Sequence, residues 1–497
     1  MKNKLLLLSA VLLFLAGASS AQIDILHNFS NNETPYGSLT QSGNVFYGMT
    51  YAGGDSNKGY IFSVNKDGSN FKDIWNFVDT GTAGNANGEH PVNTLILSGH
   101  KLYGMTSGNS NFPANYGNVF SINTDGTGYK DLWDFYDTAY TIGNSNGMFP
   151  YGSLLLVRNK LYGMTYTGGY NGAGLIFSID TNGGAFKDLL DFSQTINGGG
   201  PEGGLILIGR KLFGTTYGYC EECGRTENGL YGDGNVFSID TDGTQYKDVY
   251  VFAGPNGVEP EGDLVASADG KRLFGTTYRG GGNNKNLGVV FGVDTDGGNF
   301  KDLLTFNDTN GAYSTSTLIL SGNTLYGMAS EGGSYFENYN PGFGTIYSLD
   351  TNGSAFSLIQ NFNLSDGAYP DGKLTLIGDS LYGMASGGGF DGDGEIFACS
   401  AVAPAGIQNI TSGNGHVSVF PNPSNGQFVI SIKNNEVGTA KQVNIYNVLG
   451  EIVYSQPNIV NSTFNIDMSS QANGMYMYRV LNPNGSILGE GRVVIQK

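Results

Sequence analysis

The stretch Leu161-Tyr-Gly-Met-Thr-Tyr-Thr-Gly-Gly169 recurs seven times with small variations, and it constrains the fold more than any other feature of the chain. The copies begin at Phe46, Leu102, Leu161, Leu212, Leu273, Leu325 and Leu381, so successive starts lie 56, 59, 51, 61, 52 and 56 residues apart. Around each copy the same strand-like pieces return. In the third repeat, strand a is 153–157, strand b 160–165, strand c 174–180 and strand d 186–192. Arg158-Asn159 and Thr181-Asn182-Gly183 make the short turns. Asn-Gly and Asp-Gly between apolar runs signal hairpins, because Gly accepts the positive φ that such turns need. A repeat of this length, built from four antiparallel strands, predicts one blade of a β-propeller.

The last repeat has strands a, b and c but no strand d. The missing piece stands near the other end of the chain, where residues 23–29 match residues 71–77 position by position. A first strand that completes the last blade joins the ends of a ring and removes two exposed sheet edges. The expected fold is all-β: a seven-bladed β-propeller over 22–399, closed by the N-terminal strand.

Residues 1–21 read as a secretory signal peptide. Lys2 and Lys4 precede an apolar run from Leu5 to Ala16, and Ser19-Ser20-Ala21 offers cleavage before Gln22. The run is too short to span a membrane, and no other stretch is apolar for long enough, so no transmembrane segment is expected. The net charge is −18, and loss of Lys2 and Lys4 with the leader leaves −20. Phosphate backbones repel such a chain, which excludes nucleic acid as an expected partner. Cysteines number three, so there is no disulfide framework. In an oxidising compartment Cys220 and Cys223 are expected to form a local disulfide, and Cys399 reads as a small buried apolar residue.

Residues 400–416 form a small-residue linker. From 417 to 497 the pattern changes to short alternating strands, which predicts a small β-sandwich of Ig-like type. The repeats resemble the GloVer tandem repeat of secreted bacterial proteins, over about 375 residues. The L-[YF]-G-[MT]-[TA] segment, the following Gly-Gly and the [IV]-[FY]-S-[IVL]-[DN]-T-[DN]-G segment carry the likeness, with departures at Gly292 and at Ser107-Gly108. The resemblance supports the fold more than any activity. The C-terminal segment is similar to the type A sorting domain of the type IX secretion system in Bacteroidota. The residues that carry this are Pro421-Asn-Pro-Ser-Asn-Gly426, Val443-Asn-Ile-Tyr-Asn-Val-Leu-Gly450, Gly474-Met-Tyr476 and Val493-Val-Ile-Gln-Lys497. The resemblance implies that residues 417–497 engage that machinery, that the chain passes through the periplasm and across the outer membrane, and that it is released or held at the surface.

The b–c and d–a connections are long and the other two short, which assigns any function to the b–c/d–a face. The d–a loops share an Asn-Gly-x-x-Pro-x-Gly pattern. If strand a is innermost, the residues after the Pro stand at the mouth of the central channel. These are Tyr36, Val92, Tyr151, Glu202, Glu261, Thr315 and Asp371, with Ser314 replacing the Pro in the sixth repeat. Three readings of Glu202, Glu261 and Asp371 are open: solvated acids, a site for Ca²⁺ or sugar hydroxyls, or a general acid/base pair for glycoside hydrolysis. Apart from Ca²⁺ no cofactor is expected. Tyr51, Tyr166, Tyr217 and Tyr278 each follow the Thr that ends strand b. Their rings either stack on pyranose faces or pack between blades. The Asp-Thr-Asp/Asn-Gly turns supply their own geometry and need no metal. The sequence holds no phosphate loop, no Ser/His/Asp set and no HExxH.

The leading expectation is a monomeric, secreted or surface-displayed, non-enzymatic protein that binds glycan or another extracellular macromolecule. A glycoside hydrolase or lyase acting through the long-loop carboxylates is the alternative, and a structural or adhesive surface protein is the third.

Overall fold

The computed structural model of the chain describes residues 23–78, 88–108, 116–135, 146–218, 232–333, 342–401, 417–420, 424–432, 442–447, 451–457, 463–481 and 487–497. The expected leader at 1–21, the expected Cys220–Cys223 disulfide and most of the expected linker at 400–416 lie outside these residues. The chain divides into two compact units, Met1–Pro404 and Ala405–Lys497. The described residues of both are built of antiparallel strands, and the first unit also holds a short 3-10 turn at Gly254–Asn256.

The first unit contains seven sheets of four or five strands among the described residues. The third shows the pattern: Leu155–Val157, Lys160–Thr165, Leu175–Asp180 and Lys187–Asp191 lie side by side in chain order. Strand a starts two residues later than the alternation predicts. Ser153 instead turns toward a neighbouring sheet, where its hydroxyl donates to Asn93 Oδ1 at 2.8 Å. Strands b and c are buried on both faces, as sheets packed face to face require.

The recurrent glycine of strand b has a packing cause. Gly163 pairs directly with Phe177 of strand c, and a Cβ on Gly163 would lie 2.5 Å from Phe177 Cζ. The same contact recurs at 2.3 to 2.7 Å for Gly48, Gly104, Gly214, Gly275 and Gly383 under Phe62, Phe120, Phe237, Phe291 and Phe397. The repeat therefore preserves a fully buried ring lying on bare backbone. Gly163→Ala forces Phe177 off this seat, and the expected cost is about 1–3 kcal/mol. Urea denaturation measures it, and an unchanged midpoint would contradict the account.

The strand Asp24–Asn28 is the fourth strand of the last sheet, hydrogen-bonded to Glu395–Ser400 with Asp24 opposite Ala398 and Asn28 opposite Glu395. His27 stacks on Phe71 of the following sheet at 3.6 Å between centroids. Trp75 on Tyr129 at 4.3 Å, Trp133 on Phe186 at 3.9 Å and Tyr250 on Phe300 at 3.8 Å make the equivalent contact between later sheets. Phe29 is fully buried with its ring edge toward Phe62. On the a strands, Lys373 N donates to Ser38 Oγ at 2.8 Å and Thr375 Oγ1 to Leu39 O at 3.0 Å.

The second unit has two antiparallel sheets. One holds Val417–Phe420, Gln427–Ile432 and Thr463–Asp467; the other holds Gln442–Tyr446, Ile452–Pro457, Gly474–Leu481 and Ile487–Ile495. Phe428, Ile430 and Ile466 from the first share one apolar cluster with Val443, Ile445, Tyr478 and Val480 from the second.

Candidate functional site

The segments that follow each d–a proline bring neighbouring sheets into close approach. A Cβ on Gly152 would lie 2.3 Å from Gly203 O, one on Gly203 2.8 Å from Gly262 O, and one on Gly372 2.0 Å from Gly37 O. At these three positions a side chain would collide with the neighbouring backbone, and the residue just before each of them is carried to a common place. Tyr36, Tyr151, Glu202, Glu261, Thr315 and Asp371 line one cavity of about 310 Å³. Tyr166, Asn93, Asp263 and Thr317 also line it, with Gly37, Gly262 and Gly372.

The residue before the proline is the local clamp. Phe149 and Glu259 hold φ of 56° and 59°, and Gly200 holds 62°. For a bulky side chain this region costs roughly 1–2 kcal/mol. Hydrogen bonds on both sides hold it there. Phe149 N donates to Tyr116 O and Phe149 O accepts from Tyr166 N; Gly200 O accepts from Tyr217 N and Glu259 O from Tyr278 N. The tyrosines that end strand b are thus tied to the loops that carry the cavity residues.

Six of the nine residues expected in the site line this cavity: Tyr36, Tyr151, Tyr166, Glu202, Glu261 and Asp371. The structure does not place the other three in its wall. Tyr51 sits behind Tyr36 with ring centroids 6.2 Å apart, and stacks on His90 at 4.4 Å. Tyr278 lies beside Tyr313 at 5.1 Å and under the Arg279 guanidinium at 5.1 Å. Burial raises the Tyr217 hydroxyl, and the charges of Glu259, Glu261 and Glu202 raise it further. Tyr151 and Tyr166 meet edge to face at 5.4 Å.

Asn93, Asp263 and Thr317 escaped the sequence reading. Asp263 and Thr317 stand two residues beyond Glu261 and Thr315, in the lead-ins to Val265–Ala266 and Ile319–Ser321, where no strand period marks them. Asn93 replaces the usual glycine, and its side chain donates to Tyr151 O at 2.7 Å. Asp263 N donates to Thr317 Oγ1 at 3.0 Å, and the Asp263 carboxylate accepts from Gly204 N.

The cavity is acidic and holds no lysine, arginine or histidine in its wall. Burial and then the charge of Glu259 push the Glu202 carboxyl above its ordinary range. Burial and then Glu202 and Asp371 push Glu261 up, while Arg279 opposes the rise. Burial raises Asp371 as well, against hydrogen bonds from Thr315 Oγ1 at 2.7 Å, Gly372 N and the Tyr36 hydroxyl. Burial thus favours the protonated form of all three carboxyls, in which each can donate as well as accept a hydrogen bond. Among the described residues no three His, Cys, Asp or Glu side chains converge closely enough to hold a metal ion.

Residues 12–226 and 223–397 match the model of the Gloeobacter/Verrucomicrobia repeat. Residues 418–496 match the secretion system C-terminal sorting domain. That domain interacts with the type IX secretion machinery and directs export to the cell surface or the extracellular space. Among the described residues no helix is long and apolar enough to cross a membrane. No curated protein matches the chain. Among solved structures the chain is similar to PorZ of Porphyromonas gingivalis, titled an essential bacterial surface component of the type IX secretion system. The identity is 15% over 93% of this chain and 60% of PorZ, with a TM-score of 0.44. It is similar to an oligogalacturonate lyase in complex with manganese at 11% identity, over 76% of this chain and 93% of that one, with a TM-score of 0.44. TolB from Acinetobacter baumannii matches at 14% identity over 73% and 79% of the two chains, with a TM-score of 0.34. The chain spans only 60% of the length of PorZ.

Proposed function

The chain belongs to the Gloeobacter/Verrucomicrobia repeat family and ends in a type IX sorting domain, and from that premise we propose that it is an exported glycan-binding propeller without enzymatic activity. In this reading residues 1–21 are removed and residues 22–399 form seven blades, closed by the strand Asp24–Asn28. A linker follows at 400–416, and residues 417–497 are a small β-sandwich that serves as the sorting domain. The paired outer strand, the His27–Phe71 stack and the Lys373–Ser38 bond support closure.

The observation that carries the binding reading is the convergence of Tyr36, Tyr151 and Tyr166 with Glu202, Glu261 and Asp371 in one cavity. Its volume is at the lower end of small-ligand pockets, about 300–1,000 Å³. Aromatic rings offer apolar area to a sugar face, and the carboxyls offer directed hydrogen bonds to its hydroxyls. The size suits a terminal sugar better than a polymer groove. The alternative, a glycoside hydrolase or lyase, draws support from the raised Glu202 and Glu261 carboxyls, since a general acid must keep its proton near neutral pH.

A glycan array with the mature chain, run with Ca²⁺ and with a chelator, tests the binding reading. Saccharide capture is expected, with a loss of about tenfold or more in affinity in Tyr151→Ala, or ~1.4 kcal/mol. Equal capture by parent and Tyr151→Ala would refute the cavity as the site. Cleavage of a captured glycan, lost in Glu202→Gln, would establish the alternative instead.

A further inference from the structure

We propose that the cavity recognises a sugar carrying a free, protonated amino group. The inference rests on the binding reading above and names the ligand class of that same site. Glu202 and Glu261 line the cavity, and neither carboxyl accepts a hydrogen bond or joins an ion pair among the described residues. Asp371 is better satisfied, through Thr315 and Tyr36. The wall thus presents two recessed acids whose demand for a partner the protein does not meet. The nearest influencing cation, Arg279, is already engaged with Glu259 at 3.4 Å and lies over Tyr278.

Four classes of occupant can be weighed against this wall. A divalent metal ion needs several oxygen ligands at short range, and the carboxyls do not converge in that way. A uronic or sialic acid would bring its carboxylate to a wall that holds no lysine, arginine or histidine to pair with it. A neutral sugar can occupy the space but offers the acids only neutral hydrogen bonds. An ammonium group on a sugar ring answers each demand. It donates up to three charge-assisted hydrogen bonds to carboxylates. Its positive charge is also attracted to the faces of Tyr36, Tyr151 and Tyr166. The ring that carries it gives those tyrosines an apolar face to contact.

The occupant also has a thermodynamic signature. Burial, then the charge of Glu259 for Glu202 and those of Glu202 and Asp371 for Glu261, favours the protonated carboxyls in the free protein. An ammonium group placed beside them favours their ionised forms, so its binding should release protons at neutral pH. A neutral sugar has no such effect.

The test is isothermal calorimetry on the mature chain at neutral pH, in two buffers of different ionisation enthalpy. The probes are an oligomer of glucosamine, the same oligomer fully N-acetylated, and an oligogalacturonate. The glucosamine oligomer is expected to bind about tenfold or more tightly than the acetylated one, or ~1.4 kcal/mol. It should bind with net proton release, and Glu261→Gln should lose that preference while keeping the parent melting transition. The oligogalacturonate should give no heat. If the acetylated oligomer binds as well as the free amine, this inference fails and the glycan reading stands. If no saccharide binds, both fail. Binding of the free amine that persists unchanged in Glu261→Gln is attraction to the chain's net negative charge and overturns the assignment to this cavity.

Discussion

In Glu395→Gln the folded state becomes several kcal/mol more stable than the parent at about pH 9, while the two are nearly equal at about pH 4. Glu395 is fully buried in strand c of the last sheet, and neither carboxyl oxygen has a hydrogen-bond partner. The equivalent positions of the second and fourth sheets are Asn118 and Asn235, which pair with Thr106 and Thr216. There the hydroxyls and amides bond each other at 2.7 and 2.6 Å. In the last sheet the partner is Ala385, and the strand d positions of Tyr246 and Asp248, which reach Asn235 in the fourth sheet, hold Ile23 and Ile25. Burial, and secondarily the Asp366 charge, push the Glu395 carboxyl up to about 8. The raised value means that the folded chain holds a proton that the unfolded chain gives up at lower pH. The contribution to stability is therefore full below the unfolded pKa near 4.5 and is lost as pH rises through about 8. The loss is roughly 1.4 kcal/mol for each pH unit in that window. Other raised carboxyls, such as Glu261, tilt both proteins alike, so the difference between them isolates residue 395. Chemical denaturation at both pH values reads it. Equal stability at about pH 9, or a Gln variant weaker at both, would contradict the assignment.

Removing residues 22–29 from a chain of residues 22–497 is expected to abolish cooperative folding. The deletion takes away the strand Asp24–Asn28 and leaves the edge of Glu395–Ser400 open to other chains. It also removes Phe29, whose burial alone is worth about 3–5 kcal/mol on the scale of Phe→Ala core substitutions. His27 no longer covers Phe71, so the first sheet loses packing as well as the last. Total stability of a domain is only about 5–15 kcal/mol, and losses at both sheets exceed what such a margin tolerates. Size-exclusion chromatography and a urea transition measure the outcome: aggregation and no transition are expected. A monomeric variant with a parent-like transition would mean that the first strand is an appendage.

The architecture was legible because each repeat must solve the same packing problem. A ring on bare backbone demands Gly163 opposite Phe177, and the chain writes that pair seven times with a single Phe-to-Tyr change at Tyr347. The close approach after each proline likewise demands small residues, and their spacing marks the loop that leads into the cavity. The site was only partly legible. Tyr51, Tyr166, Tyr217 and Tyr278 share one sequence position, yet only Tyr166 reaches the cavity wall. The direction of each ring depends on neighbours from other repeats, His90 for Tyr51 and Tyr313 with Arg279 for Tyr278. Spacing within one repeat carries no trace of them. Glu395 was invisible for a related reason: its meaning lies in the partners that Ala385 and the first strand fail to supply.

The most direct measurement is a crystal structure of the mature chain soaked with the tightest saccharide found on the array. The account predicts a sugar ring between Tyr151 and Glu261, with its polar groups on Glu202 and Asp371. A ligand seated on any other surface, with this cavity filled by solvent alone, would contradict it.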